Sequence, residues 1–164
     1  MDYQLITNQR AFWQAVGMRA IGTAVVTAQG PDGPAGFLAL STAHLSSEPP
    51  LMTVSIGRST SALAAVLHSK HFAINFLAVG SEDLAAEFGG RGTRQGTDRF
   101  LLAEWTTMMS GAPTLEGAVG VIDCKLEDTI DRANTIIAVG RILCFASDSQ
   151  RAPLVSFGGK FLGQ

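Results

Sequence analysis

The sequence predicts a mainly β protein, an antiparallel barrel or sandwich with short helices packed outside it. Three observations carry this. At least six apolar stretches of strand length follow one another along the chain. They are joined by turns rather than by regular helical crossovers, which argues against a doubly wound parallel sheet. Helical spacing is confined to short segments. The 164 residues read as one domain, 1–164, with no repeat, low-complexity segment or linker, and are enough to bury a proper core.

Taken in order, "NQRAFWQAVGM" (8–18) spaces Phe12, Trp13 and Val16 like one face of a short helix that Asn8 can cap. The strand "GTAVVTAQ" leads into the turn "GPDGPAG". "FLALSTAHLSS" follows as a second strand that breaks up into small polar residues. "EPP" stops it, because two prolines cannot sit inside a ladder. "LMTVSIG" is a third strand. A helix over 61–70 sets Leu63, Val66 and Leu67 on one face, and "HFAINFLA" is a fourth strand. A short helix over 82–88 ends in the glycine-rich loop "GGRGTRQG", which carries two arginines. Two long strands, "GAVGVIDCKLEDTI" and "NTIIAVGRILCFA", meet across "DRA" before the C-terminal "PLVSFGGKFLGQ".

Composition narrows the function classes. Charged residues are only 16% of the chain, against about 25% in an average soluble domain. That shortage predicts more buried surface than a monomer has, and a homodimer interface is the simplest source. A net charge of −2 without any basic run argues against nucleic acid as a partner. Cys124 and Cys144 lie in apolar segments without metal spacing, where cysteine acts as a small core residue. The N-terminal "MDYQLITNQR" lacks the blocks of a signal peptide, and no apolar run reaches the roughly 18 residues of a membrane span. A soluble cytoplasmic protein is the expectation.

The stretch that carries most chemistry is "SIGRSTSALAAVLHSK". After the strand come Gly57, Arg58 and three hydroxyl residues, Ser59, Thr60 and Ser61, and a helix starts at once. Helix capping by Ser59 or Thr60 is one reading. A bound anion is the other: the first turn holds no acidic residue, and the nearest charge, Arg58, has the wrong sign for the helix dipole. A phosphate would gain from the helix amides, the hydroxyls and the arginine together. Other motifs are weaker. The glycines at 89, 90, 92 and 96 make no dinucleotide fingerprint, and no Walker loop occurs. His68 and His71 have no third metal ligand nearby. Ser41, Ser46 and Ser47 show no nucleophile elbow, and Asp123 and Glu127 read as strand-face residues.

Several pieces together resemble the flavin reductase family, the small FMN- or FAD-reducing components that serve two-component monooxygenases. The carrying residues are "GTAVVTA", "GPAGFLALSTAHLSSEPPLMTVSI", "RSTSAL", "HFAINFLA", "LAAEFGG", "DRF", "GAPTLEGAVGVIDCKL", "TIIAVGRI" and "PLVSFGGKF". Each is short, but their order and spacing extend over residues 12–161. The resemblance implies a split antiparallel β-barrel that binds FMN, working as a homodimer with flavin near the subunit interface. It implies flavin-ring contacts from Leu38, Ala39, Leu40 and Ser41. It assigns the ribityl chain and phosphate to Ser55, Ile56, Gly57, Arg58, Ser59, Thr60 and Ser61, and a second lining loop to Phe88 and Arg91.

Two departures from the family pattern stand out. The flavin loop reads "LALS" where the family commonly has Thr-Ala-Asn-Ser, so ring contacts depend more on backbone. "DRANT" stands in place of Gly-Asp-His-Thr and sets Asn134 where a nicotinamide-side histidine would be, with Arg132 close by. The implied activity is hydride transfer from NADH or NADPH to FMN, or to FAD, with reduced flavin passed to a partner monooxygenase. No catalytic side chain and no metal is implied. The alternatives are a flavoprotein that keeps FMN bound for electron transfer, and a non-catalytic flavin-binding redox module.

Overall fold

The computed structural model describes residues 3–162. Its main body is a seven-stranded antiparallel sheet with the strand order β3-β2-β6-β9-β10-β5-β4. The strands are β2 (Ala24–Gly30), β3 (Gly33–Ala39), β4 (Ala43–Ser47), β5 (Pro50–Gly57), β6 (His71–Phe76), β9 (Gly120–Arg132) and β10 (Thr135–Ser147). The sheet curls around an apolar interior, yet its edge strands β3 and β4 do not pair with each other. β4 covers only the first half of β5, from Pro50 to Thr53, and the second half keeps a free edge. The expected barrel is therefore split at this seam.

Alternation explains which residues point inward. Along β5, Met52, Val54 and Ile56 are buried while Leu51, Thr53 and Ser55 are less so, as a strand with one core face requires. They meet Val26, Ala28, Ala39, Phe72, Ile74, Cys124 and Ala138 in the inner cluster. β2 is buried on both faces: Val25, on its other face, joins Leu77, Leu84, Phe88, Phe100, Leu115 and Leu154 in an outer cluster. Two helices flank the sheet, α2 (Ala62–Ser69) and α3 (Glu82–Phe88), while α1 (Gln9–Val16) buries no residue of its own. Asn8 caps α1 by accepting from the Ala11 amide at 2.9 Å, as its position predicts.

Sequence reading merged or missed several elements. "FLALSTAHLSS" is two strands, β3 and β4, separated by residues 40–42. A short antiparallel sheet of β1 (Ile21–Gly22), β11 (Val155–Phe157) and β12 (Lys160–Leu162) lies apart from the main one. A hairpin of β7 (Trp105–Thr107) and β8 (Pro113–Leu115) follows a 3-10 turn over Gly96–Leu102. Buried polar groups fasten this hairpin. Asn75 accepts from the Leu115 amide at 2.8 Å and donates to the Val25 carbonyl and the Thr27 hydroxyl. Thr27 in turn donates to the Pro113 carbonyl. Asp123 is fully buried and accepts from both the amide and the hydroxyl of Ser110, with the Cys144 thiol 3.7 Å away. It is a structural acceptor rather than an acid-base partner of Glu127, which pairs instead with Arg141 at 2.7 Å.

Both cysteines are free. Burial, reinforced by Asp123 and Cys144, pushes the Cys124 thiol up to about 12, so it stays protonated as a packing group. No helix is long and apolar enough to cross a membrane among the described residues. Gly140 on β10 is a tight point of the interior. A Cβ there would lie 2.4 Å from Phe72 Cζ and 2.9 Å from Cys124 Cβ. Gly140→Ala should therefore destabilise the fold by about 1–3 kcal/mol, the range of an overpacked core, read as a lower urea midpoint at unchanged slope.

Candidate functional site

Four segments singled out in the sequence converge at the split seam. The Ser41 hydroxyl donates to the Ser55 carbonyl at 3.2 Å, tying the loop after β3 to the free half of β5. Leu38 packs against the end of α3, where a Cβ on Gly89 would meet its Cδ2 at 3.1 Å. On the other side β5 pairs with β10, Gly57 opposite Thr135 and Ile56 opposite Ile136. The turn after β5 is fixed to the β9–β10 hairpin by the Arg58 amide, which donates to the Asn134 carbonyl at 2.9 Å. Asn134 thus sits beside the Arg58 turn, and Arg132 ends β9 on the same hairpin, opposite Thr135.

Antiparallel geometry decides what the free edge offers. In such a ladder both polar groups of a residue point to the same side. Ser55 directs its carbonyl to Ser41, away from β10, so its amide faces the same open edge. The side chains of Ala39 and Ile56 go into the core, at 2% and 1% exposure. Only their backbones can serve a ligand. Leu38 and Leu40 are half-buried and leave an apolar wall with no side-chain polar group.

The turn 57–62 is a cluster of donors. The Thr60 amide bonds back to the Gly57 carbonyl at 2.9 Å and the Leu63 amide to the Thr60 carbonyl at 3.0 Å. The amides of Ser59, Ser61 and Ala62 have no backbone partner among the described residues. Capping does not explain the hydroxyls: α2 begins with no side-chain cap bond and no acid in its first turn. Among the described residues the hydroxyls of Ser59, Thr60 and Ser61 make no hydrogen bond at the mouth of the helix, and Arg58 precedes them with its guanidinium paired to Asp131. Free amides, hydroxyls and one cation make a donor set that fits a phosphate, where the helix dipole adds to the attraction.

Phe88 and Arg91 part company. Phe88 is 3% exposed and packs edge-on against Phe100 at 5.1 Å and against Trp105 at 5.8 Å. The Phe88 side chain therefore packs in the outer cluster and offers little surface to a ligand. Arg91 is exposed on the glycine-rich loop. What sequence reading missed is Glu87, a buried carboxylate that accepts from the Thr93 and Arg94 amides at 3.0 Å each and pairs with the Arg94 guanidinium at 3.4 Å. Gly92 is required beside it, since any Cβ would collide with the carboxylate at 2.1 Å. The spacing of Glu87 to "GTR" was the available signal.

Burial alone would raise the Glu87 carboxyl, but the two amides and the arginine outweigh it and hold the group below its ordinary value. A carboxyl depressed in the folded state stabilises above its unfolded value and loses that contribution as pH falls through the folded one. Acidification should therefore release the 90–95 loop before the sheet opens. The check is amide exchange at Thr93 and Arg94, expected to rise with falling pH in wild type, and to be already fast in Glu87→Gln at neutral pH.

The chain is similar to known proteins along nearly its whole length. The flavin reductase like domain matches residues 18–163. An FMN reductase (NADH), RutF, of Pseudomonas syringae is 30% identical over 154 residues, covering 94% of this chain and 85% of the relative. The reductase subunit HsaB of a flavin-dependent monooxygenase from Rhodococcus jostii is 31% identical, covering 95% and 78%. Among solved structures, the NADH:FAD oxidoreductase SgcE6 of Streptomyces globisporus superposes with a TM-score of 0.89 at 25% identity over 98% of this chain and 96% of that one. BorF, the flavin reductase component of a bacterial two-component tryptophan halogenase, gives 0.86 at 26% identity, over 94% and 96%. With nearly its whole length matched in sequence and in fold, the chain belongs to the flavin reductase like family.

Proposed function

We propose that the protein is an NAD(P)H:flavin oxidoreductase that reduces FMN, or FAD, and supplies the reduced flavin to a partner monooxygenase. The observation that carries this is the donor-only turn 57–62 set against the open backbone edge of β5, in a chain whose relatives are named as FMN reductases and monooxygenase reductase subunits. A flavin bound there supplies hydride acceptance, and the nicotinamide supplies the hydride.

The chain's own part is to bind and orient. Arg58, the hydroxyls of Ser59, Thr60 and Ser61, and the free amides would hold the phosphate. Leu38 and Leu40 would give the ring an apolar wall that excludes water, while the Ser55 amide at the free edge offers a donor to negative charge. Ser41 holds that edge in place. Arg91 is proposed as a further contact, and Arg132 and Asn134 as the nicotinamide side, next to the phosphate turn. No triad or metal is needed for any of this.

We further propose a cytoplasmic homodimer. An apolar groove of about 430 Å3 runs between β6, β9, β10 and the C-terminal segment, lined by Phe76, Val121, Ile122, Ile142 and Leu154. Phe145 stands on its rim with 71% of its surface exposed. A second copy is the proposed cover, in keeping with the low charge of the chain.

Oxidation of NADH and NADPH by the purified protein, with and without FMN, FAD and riboflavin, tests the activity. Saturable acceleration by added flavin is expected, and none with any flavin overturns the reading. Arg58→Ala should weaken FMN by about 1.5–3 kcal/mol, the scale of a charge-assisted hydrogen bond, in equilibrium titrations. Phe145→Glu should shift sedimentation from dimer to monomer.

A further inference from the structure

The donor cluster at 57–62 contains one intruder, and it comes from another strand. Asp131, near the end of β9, forms an ion pair with the Arg58 guanidinium through Nη2 and Oδ2. Pairing of β9 with β10 and of β10 with β5 brings it there: Asp131 lies opposite Ile136, which lies opposite Ile56. Neighbouring Arg132 bonds to the Asp131 carbonyl at 3.4 Å, not to its carboxylate. Arg58 is therefore the ion-pair partner of that carboxylate among the described residues.

We propose that Asp131 is an affinity-setting residue: its carboxylate competes with the flavin phosphate for Arg58, which loosens flavin binding and favours exchange of the cofactor. The proposal rests on Arg58 being the phosphate anchor. The argument is electrostatic. The side chains of Arg58 and Asp131 are 48% and 63% exposed, so solvent screens the pair and an incoming anion can reach it. A phosphate that takes the guanidinium must displace the carboxylate or share the cation with it. In either case it stands within a few ångströms of a like charge, which disfavours the bound state. The amides of Ser59, Ser61 and Ala62 and the hydroxyls of residues 59–61 can donate to an anion. Asp131 is the carboxylate that pairs with the turn's arginine among the described residues and so opposes a phosphate, and a flavin without phosphate would not feel it.

The test is equilibrium titration of FMN and of riboflavin into apoprotein, followed by flavin fluorescence, for wild type, Asp131→Asn, Asp128→Asn and Arg58→Ala. Asp128 is on the same strand and exposed but among the described residues accepts only from the neighbouring Thr129 amide, so it controls for net charge. Asp131→Asn should tighten FMN about three- to fivefold, the scale of one exposed charge pair, with riboflavin unchanged. Asp128→Asn should change neither. Combined with Arg58→Ala, the Asp131→Asn gain should shrink, because part of it acts through the guanidinium. FMN binding unchanged or weakened in Asp131→Asn overturns the proposal, as does equal tightening of FMN and riboflavin or an equal gain from Asp128→Asn. An unchanged FMN constant in Arg58→Ala would instead remove the anchor itself, and so marks failure of the underlying site reading.

Discussion

The pairing of β10 with β9 on one side and β5 on the other is the interaction on which the rest of the molecule depends. Twelve Cα partners join β10 to β9, and seven join it to β5. Because side chains alternate along a strand, one residue of slip would turn the whole inner cluster outward. Register is therefore fixed by the core, through Ile136, Ala138 and Gly140 facing Ile56, Val54 and Met52. The same register sets Thr135 opposite Gly57 and Asp131 beside Arg58. Packing energy in the interior thus positions charges at the surface, which could not hold their own geometry in water.

A second constraint acts on the opposite face. The β7–β8 hairpin and the segment before it have little regular structure, yet they cover Val25, Ala73 and Leu77. Their attachment is polar and directional. Asn75 uses both ends of its amide, and Asp123 accepts from two donors of Ser110. Groups buried this deeply are costly unless satisfied, so satisfied networks specify one placement of the segment rather than many. That placement also sets Phe100 and Trp105 against Phe88, and so anchors α3 and the loop held by Glu87.

Much of this was legible in the sequence, for reasons that differ by element. α3 was readable to the residue because Ser81 and two acids open it and Gly89 closes it. β5 was readable from its strict alternation. The long β9–β10 pair was visible as apolar runs, but its two-residue tip was not. Ala133 takes a left-handed φ of 51° there, where sequence reading looks for glycine or asparagine. At the site, Arg58 and its hydroxyls stood out because they break the charge preference of a helix start. The burial of Phe88 was not legible, since an aromatic beside a glycine-rich loop looks the same in sequence whether it faces solvent or core. Asp131 could not be found at all from local pattern: it is 73 residues from Arg58, and only two strand registers bring them together.

The balance of magnitudes at this turn says how such a site can bind a cofactor and still let it go. Charge-assisted bonds from a guanidinium to a phosphate contribute about 1.5–3 kcal/mol. An exposed carboxylate partner contributes about 0–1 kcal/mol. A phosphate at the proposed anchor would therefore win Arg58, but with a margin reduced by the carboxylate it displaces. On the ring side, the residues at 38 and 40 are leucines, so recognition there falls to an apolar wall and a strand edge. Backbone donors hold their direction without side-chain ordering, and they suit a ring whose charge changes on reduction better than a fixed ion would. In the proposed site, binding would thus be divided between a phosphate clasp that a single neighbouring charge tunes and a ring site set by the sheet. Changes at the clasp can alter how tightly flavin is held without disturbing where its ring lies.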